Sequence, residues 1–208
     1  MPLDTVLAAT LGLVISLVLS RWSQALLAII HETARITRLL VLIQLFCGAT
    51  SGTIAIGRSP DEAAIICVVA VLLVIQFPLD VLTRRLSRTL TVGAFVGILV
   101  TVSFKTLFRE AGEETLTSLV FSAAIIGISA VVHVASPNSL GFGDVLLMAP
   151  LALAVASSSM FTGILWLAVS SCSAAAHGVL NLIRRGERYL PFGPHLLGAA
   201  WVLLVVGV

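Results

Sequence analysis

Charged residues are scarce in this chain of 208 residues: they make up 11% of it, whereas an ordinary soluble domain carries about 25%. Hydrophobic residues account for 59%, and the mean hydropathy is +1.13. A soluble fold of this length cannot hide so much apolar surface, and no polar stretch is long enough to build a sizeable soluble domain. The composition therefore predicts an all-α, polytopic membrane protein.

Cysteine is almost absent as well, and its three copies lie singly inside apolar segments, at Cys47, Cys67 and Cys172. Because they form no CxxC pair, the sequence argues against a zinc module and against a disulfide framework. Each is interpreted as a small buried hydrophobe. The histidines have no Cys or carboxylate at ligand spacing, so we expect no metal site, and nothing in the sequence predicts a cofactor.

Long apolar runs dominate the rest of the chain. A helix needs about 20 apolar residues to cross a bilayer, and the hydropathy predicts about eight spans, at residues 5–20, 39–56, 63–79, 89–104, 115–134, 142–157, 160–182 and 190–208. The N-terminal stretch lacks a basic region and a small-residue cleavage site, so we expect a retained first span. Residues 20–38 are predicted to form a short cytoplasmic loop or an amphipathic surface helix. No linker or internal repeat is evident, which predicts a single domain over 1–208.

Basic residues orient these spans because they cluster in alternate loops. Nine of the 12 lie in one set of loops, at Arg21, Arg35, Arg38, Arg84, Arg85, Arg88, Arg184, Arg185 and Arg188. The positive-inside rule puts this set in the cytoplasm. Both chain termini are then predicted to lie outside.

Two acidic residues, Asp80 and Asp144, sit at span boundaries without belonging to a loop cluster. Pro78 is interpreted as a kink or helix end that places Asp80, and Asp144 closes the motif Gly141-Phe142-Gly143-Asp144. In the predicted topology both carboxyls fall on the cytoplasmic face, where an ionisable residue is costly enough to suggest function. Two carboxyls held close share a proton, so one can act as base on a water while the other polarises a peptide carbonyl.

The glycines of that motif have a physical rationale beside an acid. Without side chains, Gly141 and Gly143 let an extended backbone approach the carboxyl and permit the turn that starts the span. On the residues alone two alternatives to a catalytic pair stay open. Asp144 is either one of a catalytic pair or simply the N-cap of its helix, and the two acids also suit ion sites in a transporter.

Three segments, in order along the chain, resemble the bacterial type IV prepilin peptidases, which are GxGD integral-membrane aspartic peptidases. Gly141-Phe142-Gly143-Asp144 matches the GxGD signature, residues 80–91 resemble the family's first catalytic segment, and Pro191-Phe192-Gly193-Pro194 resembles its PFGP segment. The resemblance implies an endopeptidase that removes the short basic leader of prepilins or pseudopilins. It would act at the cytoplasmic face of the bacterial inner membrane.

The resemblance also implies roles for single residues. Asp80 and Asp144 match the two catalytic aspartates, which activate water without a metal, a cofactor or a covalent intermediate. The partners implied are a substrate with a hydrophobic N-terminal helix and the lipid bilayer, and no nucleic acid. Supporting or substrate-binding positions fall on Gly141, Gly143, Arg84, Arg85, Pro191, Gly193 and Pro194.

The chain departs from the family pattern at two places. Ser87-Arg88 stands where the family usually has Pro-Asn or Pro-Asp, and Leu146 stands where a Lys is usual. Both departures suit a divergent substrate or a non-cleaving relative. The cytoplasmic CxxC domain of longer members has no counterpart between the first two spans, which leaves N-methyltransferase activity open.

Besides a catalytically dead assembly factor, which the departures at Ser87-Arg88 and Leu146 suggest, two rival functions remain on the sequence alone. One is a presenilin-like or archaeal preflagellin-type protease, which shares the GxGD motif. The other is a small proton-coupled transporter that uses Asp80 and Asp144 as proton sites. His195, inside the third segment, is interpreted as a helix-start or packing residue.

Overall fold

The computed structural model describes Val14, Val18, Arg21 and residues 38–55, 57–83, 86–109, 112–135, 141–185 and 191–207. Apart from those three positions and Arg38, the predicted first span 5–20 and the segment 20–38 lie outside the described residues, as do Arg84 and Arg85. The described part is all-helical. Its helices are α1 (Arg38–Ala55), α2 (Pro60–Thr83), α3 (Arg88–Arg109), α4 (Gly112–Ala135), α5 (Phe142–Ala156), α6 (Met160–Arg185) and α7 (Gly193–Val206).

Seven of the predicted spans coincide with these helices to within five residues at either end. Four helices, α2, α3, α4 and α6, are long and apolar enough to cross a membrane. The helices α5 and α7 are apolar but shorter, with 15 and 14 residues. The chain is therefore a multi-pass membrane protein, while the count of eight spans and the side on which the termini lie stay predictions.

The centre of the bundle is formed by α2, α5 and α7, which contact one another. In its apolar part α2 is 67% buried, against 17–22% for α3, α4 and α6. The outer helices carry exposed apolar side chains such as Val100 and Val131, which lipid tails accommodate as well as a protein core does. The prediction that all three cysteines are buried is wrong for two of them. Cys67 and Cys172 are exposed on the outside of the bundle, where lipid accommodates them, and Cys47 is buried.

The central helix α2 continues through Pro78 to Thr83, whereas the sequence predicts the end of this span at residue 79. Proline has no N–H to offer the carbonyl four residues earlier, which belongs to Val74. The side-chain amide of Gln44 on α1 donates to that carbonyl instead. Because the buried acceptor is satisfied, the helix continues, and Asp80 lies within its last turn.

Candidate active site

The ends of the three central helices meet at one point. Asp80 lies in the last turn of α2 and is 5% exposed. Asp144 is the third residue of α5, and Gly193 is the first residue of α7. The structure thus brings together the two aspartates singled out in the sequence, and Gly193 lies beside both; we call Asp80 and Asp144 the aspartate pair.

Gly193 sets the distance between the two carboxyls. A Cβ on Gly193 would lie 2.5 Å from Asp80 Oδ2 and 3.6 Å from Asp144 Oδ1. Two atoms this near a common point are at most about 6 Å from each other. One water making two hydrogen bonds of about 2.8 Å bridges up to roughly 5.6 Å. The upper limit on the separation of the aspartate pair is therefore comparable to the reach of one bridging water.

Backbone N–H groups hold the Asp144 carboxylate in place. It accepts hydrogen bonds from Gly141, at the N-cap of its own helix, and from Gly193, at the start of α7. A third helical residue that reaches back to the N-cap N–H makes half of a capping box. Gly141 occupies the N-cap position itself, so Asp144 contributes to capping from the third helical position, and this contact does not decide between a capping and a catalytic role. The second bond ties α5 to α7 at the aspartate pair.

At the two glycines of the Gly-Phe-Gly-Asp motif, backbone conformation and packing require glycine less strictly than the sequence predicts. Gly141 has φ −67° and ψ 144°, a conformation open to any residue, so no special turn requires it. It does need room, because a Cβ there would lie 3.2 Å from Asp144 Oδ2. At Gly143 the nearest atom to a Cβ would be Leu86 Cδ1 at 3.4 Å, an ordinary contact. Gly193 is the position that excludes a side chain.

Residues 86–88, which lead into α3, pack on this motif. The Leu86 side chain lies against Gly143, and the guanidinium carbon of Arg88 lies 5.4 Å from the centre of the Phe142 ring. Arg88 thus makes a cation–π contact with the signature motif. It is also one of the two adjacent positions at which the chain departs from the family pattern.

Sequence reasoning missed Gln76, which lies one helical turn before Asp80 and is 0% exposed. Its Oε1 accepts from the Ser87 N–H at 3.1 Å, and its Nε2 donates to Thr91 Oγ1 at 2.8 Å. The available signal was a single amide in an otherwise apolar stretch, residues 65–79. Such a group needs partners when buried, but the sequence does not say which.

The first turn of α7 is anchored on α6. Pro191 precedes the helix and Pro194 lies in its first turn. The His195 ring nitrogens lie 3.0 Å from His177 Nδ1 and 3.1 Å from Ser173 Oγ. These contacts fix the turn that carries Gly193, in keeping with the interpretation of His195 as a helix-start packing residue. Within the described ranges, no three or more His, Cys, Asp or Glu residues group so as to hold a metal ion.

Residues 66–179 match the model of the type IV leader peptidase family. This region is more than half of the chain and contains both aspartates and the Gly-Phe-Gly-Asp motif. The chain belongs to the type IV leader peptidase family. Within this leader peptidase homologue, the match also includes Gln76 and Arg88, whereas Gly193 lies beyond it. Neither a comparison with curated proteins nor one with solved structures found a match.

Membership of a peptidase family gives the site a reaction class. Two carboxyls that can share one water are suited to hydrolysis of a peptide bond. Membership of this family implies a protein substrate for the leader peptidase homologue.

Proposed function

We propose that this leader peptidase homologue is a membrane aspartic endopeptidase that removes the short basic leader of type IV prepilins or pseudopilins. The approach of Asp80 and Asp144 to within about 6 Å beside Gly193 carries the proposal. Two carboxyls that lie beside one glycine, one of them 5% exposed, support a water-activating pair of the kind that aspartic proteases use. Family membership supports a protein substrate.

In the proposed reaction a water lies between the aspartate pair. One carboxylate takes a proton from this water as its oxygen attacks the scissile carbonyl carbon, and the protonated partner donates to the carbonyl oxygen. The tetrahedral intermediate then breaks its C–N bond. The departing amine receives a proton from the pair, and the water's oxygen stays in the new carboxyl group. Every proton moves between the water, the peptide and the two aspartates.

The charge distribution supports a cytoplasmic site in a bacterial inner membrane. Arg88 lies at the same end of the bundle as the aspartate pair, and it belongs to the basic set that the positive-inside rule assigns to the cytoplasm. A basic leader stays on that side while the apolar helix behind it enters the bilayer. A cut between leader and helix therefore falls where the aspartate pair is proposed to lie.

Co-expression with a tagged prepilin tests the proposal. Removal of the leader is followed by gel shift for the wild type, Asp80→Asn and Asp144→Asn at equal membrane abundance. Each substitution is expected to abolish processing, because an amide can neither accept nor deliver the required proton. The matched control is Glu113→Gln, which neutralises an exposed acid in the first turn of α4, and it should process normally.

Two outcomes would contradict the proposal. Processing that survives either aspartate substitution would remove the two-carboxyl mechanism. Absence of processing by the wild type with any prepilin that carries a basic leader and an apolar helix would favour a non-cleaving relative or a proton-coupled transporter.

A further inference from the structure

We propose that Gln76 is a positioning residue for the aspartate pair. It holds residues 86–88, the segment that leads into α3, against the Gly-Phe-Gly-Asp motif that carries Asp144. The consequence for catalysis rests on the proposed function, whereas the position of the segment can be measured without it.

The first step is a closed ring of hydrogen bonds, formed by Gln76, Ser87 and Thr91. Gln76 Oε1 accepts from the Ser87 N–H, and Gln76 Nε2 donates to Thr91 Oγ1. Thr91 Oγ1 in turn donates to the Ser87 carbonyl at 3.0 Å. Both backbone polar groups of Ser87 are therefore tied, directly or through one hydroxyl, to a side chain that lies one turn from Asp80.

The second step concerns the two neighbours of Ser87 in the chain, Leu86 and Arg88. The Cβ atom of Leu86 lies 3.5 Å from the position that a Cβ on Gly143 would occupy. Arg88 lies over the Phe142 ring. A shift of Ser87 would move both contacts at once, and both fall on the two residues that directly precede Asp144.

The third step separates this role from simple attachment of α2 to α3. Side-chain hydrogen bonds between membrane helices often do no more than join them. A bond of that kind would affect how stably α2 and α3 associate, but not the spacing between residues 86 and 143. The spacing is therefore the quantity to measure.

Disulfide trapping measures it. The Cβ positions of residues 86 and 143 are 3.5 Å apart, at the lower end of the range of about 3.5–4.5 Å found in disulfides. In a background with Cys47→Ala, Cys67→Ser and Cys172→Ser, the pair Leu86→Cys and Gly143→Cys should cross-link readily in isolated membranes. Adding Gln76→Met should slow cross-linking by about tenfold or more, because the cysteines leave bonding geometry.

Gln44→Met is the matched control. Gln44 is also a buried glutamine that bonds across helices, and its side-chain amide donates to the Val74 carbonyl inside α2. Its substitution should leave the cross-linking rate within about twofold of the parent. If Gln76→Met is not recovered from membranes, Thr91→Val replaces it, since this variant opens the same ring by removing one hydroxyl.

The kinetic arm uses prepilin cleavage by proteins that retain Leu86 and Gly143. Gln76→Met should lower kcat by about tenfold to a hundredfold with little change in KM, since small displacements of reacting groups carry penalties of this size. Cross-linking at the parental rate would overturn the proposal. Slower cross-linking with unchanged kcat would overturn it too, because the segment would then move without disturbing the aspartate pair. If the wild type cleaves no prepilin, the proposed function fails, and cross-linking alone decides whether Gln76 positions the segment.

Discussion

At position 193 the absence of a side chain is what allows the two carboxyls to meet. A Cβ there would lie 2.5 Å from Asp80 Oδ2, which is closer than non-bonded contacts of a Cβ allow. Either the carboxyl or the first turn of α7 would therefore have to move. Gly193 also donates its N–H to Asp144. The backbone of Gly193 therefore lies beside both members of the aspartate pair.

Gly193→Ala is expected to lower prepilin cleavage by about a hundredfold, since a displacement near 1 Å at reacting groups has effects of this order. Gly198→Ala is the matched control, because this glycine lies in the same helix and a methyl added there would meet nothing within 4 Å. Both are measured as initial cleavage rates at equal protein abundance. Normal activity of Gly193→Ala would contradict the packing described around Asp80.

Residues that carry charge could be predicted from the sequence, and residues that act through shape could not. Asp80 and Asp144 stand out because an acid at the edge of an apolar span is costly. Gly193 was singled out only through its motif, since nothing local shows that a glycine will lie against a carboxyl from another helix. Gln76 gave a signal, an amide among apolar residues, but its partners lie 11 and 15 residues away.

At the scale of elements, the course of α2 depends on a helix next to it. Pro78 leaves the Val74 carbonyl without its usual donor, and Gln44 of α1 supplies one. Gln44→Met should therefore lower the free energy of unfolding by about 1–3 kcal/mol, which is the penalty for a buried acceptor left without a partner. Thermal unfolding in detergent, followed by the helical circular dichroism signal, measures the loss.

The same analysis predicts a compensating substitution. In the Gln44→Met background, Pro78→Ala restores a backbone N–H that can reach the Val74 carbonyl, so it should recover most of the lost stability. Equal destabilisation with and without Pro78→Ala would show that Gln44 stabilises the bundle by some other contact.

The boundaries of α2 illustrate why hydropathy locates a membrane span more accurately than it locates the ends of the helix. Span 63–79 was predicted from its apolar run, yet α2 begins at Pro60 and ends at Thr83. At the start, proline suits the first helical position and Asp61 and Glu62 suit the positive end of the helix dipole, so three polar or turn-forming residues join the helix. At the other end, the donor from Gln44 is a tertiary contact that no window along the sequence contains.

At the scale of the whole molecule, helix length limits how far the aspartate pair lies from the opposite end of the bundle. Ser157 follows α5, and its carbonyl accepts a hydrogen bond from Lys105 Nζ at 3.3 Å. Lys105 and Ser157 line one small cavity with Asp61 and Glu62, so charged groups mark the membrane boundary there. Asp144 is 13 residues from Ser157, about 20 Å along a helix, whereas the hydrocarbon core is about 30 Å thick. With the polar end of α5 taken as one membrane boundary, these lengths predict that Asp144 lies within the bilayer, about 10 Å short of the opposite surface.

The proposed function also requires that the aspartate pair lie towards the cytoplasmic side of the membrane. Thr89 is exposed in the first turn of α3, at the end of the aspartate pair, and Ser158 is exposed in the turn at the other end. With the native cysteines replaced, a membrane-impermeant maleimide on intact spheroplasts should label Ser158→Cys. Thr89→Cys should react only after the membrane is permeabilised, as the positive-inside rule requires for the basic loops.

Opposite labelling would decide against leader removal even if both aspartates proved essential for some activity. A basic leader does not leave the cytoplasm when the apolar helix behind it enters the bilayer, so a peptidase whose aspartate pair opened to the outer face could not reach the junction between them. The orientation is thus an independent condition on the proposed function: leader removal requires both the proposed carboxyl chemistry and an aspartate pair that opens to the side on which the basic leader stays.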